Sequence, residues 1–242
     1  MHAGHENEAL LPATDATAGG ATARSPSMAT FQRLLSAAAQ HEVPVLLLGE
    51  TGTGKTTYAR ALHALSRRAS GPFVRVDCPG GGAEMCEQAR EAREGTFFLD
   101  DVSELSPSAQ ASALRIVEEA GRPSARADLR VVASTRHDLF ARVRDRTFRS
   151  DLYYRLSVLE LRVPPLRERS EDIIPLAHAF VALGARAANR SPPALSARLE
   201  RALVDYAWPG NVAELRAVME RLLILTPGES LDANALPERM TT

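Results

Sequence analysis

At 242 residues and 45% hydrophobic, the chain can bury one well-filled core and a smaller second unit. A formal net charge of -1 excludes a globally basic nucleic-acid surface, and no apolar run approaches the roughly 20 residues of a membrane span. The N-terminus has no basic stretch followed by an apolar core, and Cys78 and Cys86 match no metal or redox spacing, so a reduced, cytoplasmic protein without membrane contact is expected.

Residues 1–27 are rich in Ala, Thr, Gly and Pro and lack apolar periodicity, which predicts a flexible tail. A helix is predicted over 29–40. Apolar strands follow at 43–48, 73–77, 96–99, 129–134 and 158–161, with helical segments between them at 56–69, 83–93, 107–120 and 138–144. Strands this continuously apolar, alternating with helices, predict an α/β fold: a parallel five-stranded sheet with helices on both faces. The pattern changes at Pro164-Pro165. Beyond it only helices are predicted, at 171–183, 196–206 and 211–225. The last begins at a Pro209-Gly210-Asn211 turn into an Asn211 N-cap and carries Val212, Leu215, Val218, Met219, Leu222 and Leu223 on one stripe. The expected division is an α/β unit over 28–169 and a helical unit over 170–242.

Gly49, Glu50, Thr51, Gly52, Thr53, Gly54, Lys55 and Thr56 fit G-x-x-x-x-G-K-[ST] between an apolar strand and a helix, the context this P-loop motif requires. Glycines let backbone N–H groups close around phosphates, and the helix N-terminus adds a favourable dipole. Lys55 is placed to reach the β- and γ-phosphates of ATP. Thr56, followed by Thr57, is placed to bind Mg²⁺ through its hydroxyl. Of the 29 basic residues, 28 are arginine and Lys55 is the only lysine. A general arginine bias does not explain the exception; a site needing a compact, mobile point charge does.

The strand Thr96-Phe-Phe-Leu-Asp-Asp101 ends in two carboxylates, a pattern that suits a Walker B site at a sheet's carboxyl edge. There Asp100 would hold Mg²⁺ through water, and Asp101 would orient or deprotonate the attacking water. The segment 129–135 ends in hydroxyls. Thr135 is thus either the polar end of a core strand or a group at the phosphate edge. Arg149 and Arg155 fit either surface charge in an arginine-rich chain or stabilisers of transition-state charge in a neighbouring subunit.

These residues together resemble the AAA+ domain of bacterial sigma-54-dependent transcription activators, also called enhancer-binding proteins. The resemblance runs from about residue 28 to 235. Its carriers are GETGTGKT (49–56), GTFFLDDVSELS (95–106), LRVVASTRHDL (129–139), FRSDLYYRLSVLELRVPPLRER (148–169) and WPGNVAELRAVMERLLIL (208–225). It implies an AAA+ P-loop NTPase core with a C-terminal helical lid, ATP hydrolysis, and a homo-oligomeric ring, usually a hexamer, that remodels RNA polymerase holding sigma-54. By position, Lys55, Thr56 and Asp100 match phosphate and magnesium ligands, Arg149 and Arg155 match trans-acting arginine fingers, and Thr135 matches part of sensor I.

The chain also departs from that family pattern. The sigma-contacting loop, written GAFTGA, belongs between the second strand and the Asp-Asp strand. Here that interval, 78–95, is shorter than the family's and holds nothing like it. Asp101 stands where the family has a catalytic Glu. The change withdraws the carboxylate by roughly 1 Å, and misplacement on that scale costs about 100-fold in rate. Asp77 stands at the position of the Asn that restrains that Glu, Arg136 at the sensor I Asn, and Ala213 at the sensor II lid arginine, with Arg216 one turn later as a candidate substitute. No receiver or ligand-sensing domain fits in the tail and no helix-turn-helix follows the lid, so direct DNA binding is not expected. Two readings follow. One is an ATP-binding AAA+ protein in transcription regulation that hydrolyses ATP slowly. The other is a non-activating nucleotide-binding subunit that assembles with or inhibits related AAA+ rings.

Overall fold

The computed structural model describes residues 24–79, 84–120, 128–226 and 228–240. Most of the tail expected over 1–27, and residues 80–83 of the interval without a GAFTGA-like loop, lie outside the described residues. Helix α1 (Pro26–Ala39) starts earlier than predicted because Ser25 caps it. The Ser25 hydroxyl accepts from Met28 N–H at 3.3 Å, and Pro26 fills the first turn, where a missing N–H costs nothing. The cap is itself anchored. Asp172, 2% exposed, accepts from Ser25 N (3.0 Å), from Ser25 Oγ (2.8 Å) and from Arg24 N. Residues 24–27 therefore belong to the fold rather than to a tail.

The α/β unit continues with β1 (Val45–Leu48), α2 (Lys55–Ala64), β2 (Phe73–Asp77), α3 (Met85–Glu91), β3 (Thr96–Asp100), α4 (Pro107–Glu119), β4 (Arg130–Thr135), α5 (Leu139–Arg144), α6 (Ser150–Leu156) and β5 (Leu159–Arg162). The five strands form one parallel sheet in the order β2-β3-β4-β1-β5. Alternate side chains feed two cores. Leu46, Phe97, Val131 and Ala133 face α3, α4 and α6, whereas Val45, Leu47, Phe98 and Val132 face α1 and α2. The sequence does not predict helix α6. It is seven residues long, with only Leu152 and Leu156 buried, so its period barely registers in the sequence. One strand residue breaks the apolar rule. Arg130 is 1% exposed, and its guanidinium donates to Ala38 O (2.7 Å) and Ala39 O (3.3 Å) at the end of α1. Those carbonyls lie in the last turn of α1, at the negative end of the helix dipole, and Ala38 O also accepts from His41 N at 3.1 Å, so the buried cation is accommodated.

After Pro164-Pro165 the chain builds a second core. Helices α7 (Ile173–Ala187), α8 (Ala197–Asp205) and α9 (Asn211–Leu225) pack Ile173, Val181, Leu199, Leu215 and Leu222 around Trp208. Trp208 is fully buried, and its Nε1 donates to Leu203 O at 2.8 Å. The sequence predicts only helices here, and the structure corrects that: β6 (Ala194–Leu195) pairs in parallel with β7 (Ser230–Leu231). Two-residue strands so far apart in the chain carry no periodic signal, and only the folded helices bring them together. Among the described residues no helix is long and apolar enough to cross a membrane.

Candidate functional site

Parallel pairing brings the carboxyl ends of β1, β3 and β4 to one edge, with Leu48 opposite Thr135 and Asp77 opposite Asp100. The chain leaves β1 into the glycine-rich loop and enters α2 at Lys55. Gly52 and Gly54 make that turn at φ 77° and 97°, a region that side chains rarely adopt. Gly52 is constrained twice, because a Cβ there would lie 2.1 Å from Gly210 O.

Lys55 folds onto its own loop, donating from Nζ to Gly49 O (2.8 Å) and Glu50 O (3.0 Å). Burial pushes its pKa down, and the Asp101 and Asp100 charges oppose this. Thr53 is 1% exposed and closes the loop through Glu50 O at 2.8 Å, while Thr51 and Thr57 are exposed. Thr56 Oγ1 donates to Asp100 Oδ2 at 3.0 Å. Asp100 Oδ1 accepts from Ser134 Oγ at 2.5 Å, and its Oδ2 also lies 3.1 Å from Arg75, which pairs in turn with Asp77 at 2.8 Å. A hydroxyl and a carboxylate are hard oxygen donors, and they fit a Mg²⁺ that draws its remaining ligands from phosphates and water. Among the described residues no group of three or more His, Cys, Asp or Glu gathers to hold a metal by itself. Arg75 would share Asp100 Oδ2 with such an ion.

Asp101 adopts φ 59° and ψ 62°, a left-handed conformation uncommon outside glycine that aspartate and asparagine tolerate better than other side chains. Three contacts hold it there. Its N–H donates to Ser134 Oγ (3.0 Å), Oδ1 accepts from Ser103 Oγ (2.7 Å), and Oδ2 lies 3.1 Å from Arg136 Nε. Thr135 is fully buried, and its hydroxyl turns the chain after β4 by donating to His137 O (3.1 Å) and accepting from His137 N (3.0 Å). Ser134, which the sequence does not single out, is the hydroxyl that reaches both aspartates. Adjacent residues of a strand point to opposite faces, so this choice is decided by which face carries the site.

Arg149 pairs with Asp151 through two contacts (3.0 and 2.7 Å), and Arg155 pairs with Glu118 at 2.9 Å. Both side chains are nearly half exposed, at 47% and 49%. These contacts hold them to carboxylates of their own chain rather than to the Thr56–Asp100 pair. Arg216 is likewise engaged on its own helix, with Glu220 at 2.7 Å.

The second unit grips the loop through residues that carry no separate signal in the sequence. Glu50 accepts from Arg167 Nη1 (2.8 Å), Arg167 Nη2 (2.6 Å) and Asn211 Nδ2 (3.1 Å). The Arg167 bonds, and then Asn211, hold the Glu50 carboxyl at about 2. Asn211 Nδ2 also donates to Thr51 O (3.0 Å), Asn211 Oδ1 accepts from Leu166 N (2.8 Å), and Ala213 N donates to Gly52 O (3.2 Å). Arg169, 3% exposed, donates to Thr53 O at 3.2 Å. The sequence marks Asn211 as a helix N-cap, and the structure corrects this: Gly210 holds the cap position, and the Asn211 side chain bonds to Leu166, Thr51 and Glu50 instead of to its own helix. Beside the loop a cavity of about 530 Å³ opens between Gly49, Glu50, Arg136, Phe140 and Arg162.

Comparison with known proteins fits this geometry. Residues 22–166 match the sigma-54 interaction domain, and residues 167–242 match the AAA+ ATPase lid domain. The alginate biosynthesis transcriptional regulatory protein AlgB of Pseudomonas putida is 37% identical over 243 residues, covering 90% of this chain and 54% of its own length. The transcriptional regulatory protein FlbD of Caulobacter vibrioides is 35% identical over 239 residues, covering 88% of this chain and 52% of its own. The chain thus spans about half the length of the curated relatives it matches. NtrX from Brucella abortus, solved in complex with ADP, superposes with a TM-score of 0.83 at 32% identity, covering 90% of this chain and 54% of that one. A second NtrX structure was solved with ATP. With a family model covering more than half of it, a parallel P-loop sheet and a lid closed over the loop, the chain belongs to the sigma-54 interaction domain family of AAA+ proteins.

Proposed function

We propose that the chain binds ATP with Mg²⁺ at Gly49–Thr56, hydrolyses it slowly, and serves as an AAA+ subunit in sigma-54-dependent transcription control. The observation that carries this reading is the convergence of Lys55, Thr56, Asp100 and Asp101 on one sheet edge, around a loop whose glycines need positive φ. On binding, Lys55 exchanges the Gly49 and Glu50 carbonyls for β- and γ-phosphate oxygens, and backbone N–H groups of the loop hold the rest. Mg²⁺, when bound, neutralises phosphate charge beside Thr56 and Asp100. In hydrolysis a water oxygen bonds to the γ-phosphorus as the bond to the bridging oxygen breaks. That oxygen leaves with the electron pair on ADP, and Asp101 orients the water and takes its proton. Calorimetric titration with Mg-ATP tests the site. Wild type binds, and Lys55→Ala weakens binding by roughly 100-fold or more because two charge-assisted phosphate contacts go. Equal affinity in the two proteins would overturn the assignment.

Arg149 and Arg155 are read as fingers for a neighbouring subunit's γ-phosphate in a ring, a hexamer by family resemblance; their exposure supports this. An ATPase rate per subunit that rises with protein concentration is the expected result, and a concentration-independent rate counts against it. A second reading, a non-activating subunit that joins or restrains rings of a related activator, is favoured by the 78–95 interval, which holds nothing like GAFTGA. Stoichiometric mixing with an intact activator separates the two. A changed ATPase rate supports the second reading. An unchanged rate, with co-purification of sigma-54 in the presence of a transition-state analogue of ATP, supports the first.

A further inference from the structure

We infer that Arg136 is a positioning residue that holds Asp101 in a paired, non-hydrolysing arrangement, so that the chain retains bound ATP until the pair opens. The inference rests on the ATP reading above and concerns the regulation of that same site.

Asp101 is tied at every polar group it has beyond its carbonyl: the N–H to Ser134, Oδ1 to Ser103 and Oδ2 to Arg136. It is held so in a left-handed conformation, at φ 59°. Two of the three partners are neutral hydroxyls, which re-aim easily. The third is a cation. Arg136 also lies 3.6 Å from Glu104, and its Nε donates to His137 Nε2 at 3.2 Å. Asp101 and Glu104 stand at the start and end of one short 3₁₀ turn, whose helical residues are Val102–Glu104. A single guanidinium therefore clasps both ends of that turn and fixes the carboxylate that leads it.

A carboxylate that orients a water and receives its proton must turn an oxygen toward the nucleotide. Here Oδ1 is committed to Ser103 and Oδ2 to Arg136, so turning breaks one contact or the other. The ion pair is the one restraint of the three that carries charge. It is also a reversible one. Arg136 is 43% exposed, so water and salt screen the pair enough for it to open. The residue directly after β4 thus sets whether Asp101 is available. An asparagine at that position would leave Asp101 its two serine partners and remove the charged one.

The test measures steady-state ATPase at saturating Mg-ATP, together with Mg-ATP affinity by calorimetry, for wild type, Arg136→Asn, Arg136→Lys and the double variant Arg136→Asn/Asp101→Asn. A positioned base contributes about 10²–10⁴ in rate, so partial release is expected to raise kcat by about tenfold in Arg136→Asn. Affinity and KM should stay within about threefold, because the change acts on turnover rather than on binding. Arg136→Lys, which keeps the charge, should stay near the wild-type rate. The gain should vanish in the double variant, which shows that it runs through Asp101. An unchanged or lower rate in Arg136→Asn with Mg-ATP still bound overturns the inference and leaves the ATP reading standing. Failure of the wild type to bind Mg-ATP overturns both.

Discussion

Asn211→Ala should loosen the helical unit from the phosphate loop without removing a single hydrophobic side chain. Asn211 is fully buried and joins three segments, accepting from Leu166 N at 2.8 Å and donating to Thr51 O at 3.0 Å and Glu50 Oε2 at 3.1 Å. The truncation leaves the buried Leu166 N–H without its acceptor, at a cost of about 1–3 kcal/mol. The other two losses are smaller. Glu50 keeps both Arg167 bonds, and Thr51 is exposed, so water can replace the lost donor. Residue 211 sits at φ 52°, which asparagine tolerates better than alanine, adding about 1 kcal/mol. The sum is about 2–4 kcal/mol. Trp208, the chain's single tryptophan, is fully buried in the helical unit beside this turn and reports its unfolding by fluorescence. With a urea dependence of about 2 kcal/mol per molar, the Trp208 midpoint should fall by about 1–2 M. A shift below about 0.3 M would mean that Leu166 and Glu50 find other partners, and the clamp would be refuted.

Gly52→Ala should destabilise far more than Gly54→Ala. Both positions have positive φ, but only a Gly52 Cβ meets backbone, 2.1 Å from Gly210 O, while at Gly54 the nearest atom is Tyr58 Cε2 at 3.5 Å. The second variant therefore pays about 1–2 kcal/mol for conformation alone, and equal urea midpoints for the two would contradict the steric account. Glu50 has a carboxyl held at about 2 against an ordinary value of 4.5, so its charged contact with Arg167 contributes stability in full above about pH 4.5 and loses it as pH falls toward 2. The stability gap between wild type and Glu50→Gln should be constant from pH 7 to 5 and narrow below pH 4.5; a gap that widens on acidification has the wrong sign. Of the two thiols, Cys86 is exposed, whereas Cys78 is 2% exposed and burial raises its pKa. Iodoacetamide should label one thiol in the native protein and both in urea, and native labelling of Cys78 would place it outside the core.

Short-range chemistry is legible in this sequence. The phosphate loop reads directly, because its glycines, its lysine and its strand–loop–helix setting all lie within a dozen residues, and the structure places Lys55 and Thr56 at the start of α2. The central strands β1, β3 and β4 read equally well, since burial on both faces makes them almost continuously apolar, and the edge strands β2 and β5 still read from their apolar residues although Arg75, Glu160 and Arg162 interrupt them. Helix α6 and the β6–β7 pair do not read, because seven residues and two residues are too few to show a period. The pairing of sensor-like positions is the instructive case. Aligning Arg136 and Asp101 as two separate departures from the family pattern does not reveal that they face each other at 3.1 Å. Choosing Ser134 over Thr135 as the partner of Asp100, and joining Glu50 to Asn211, likewise needed the register of β4 and the docking of the second unit. Residue order alone carries the P-loop motif, the α/β alternation and the family. Tertiary structure alone decided which charges neutralise which, because contacts between distant segments depend on how strands pair and helices dock, and no local pattern encodes that distance.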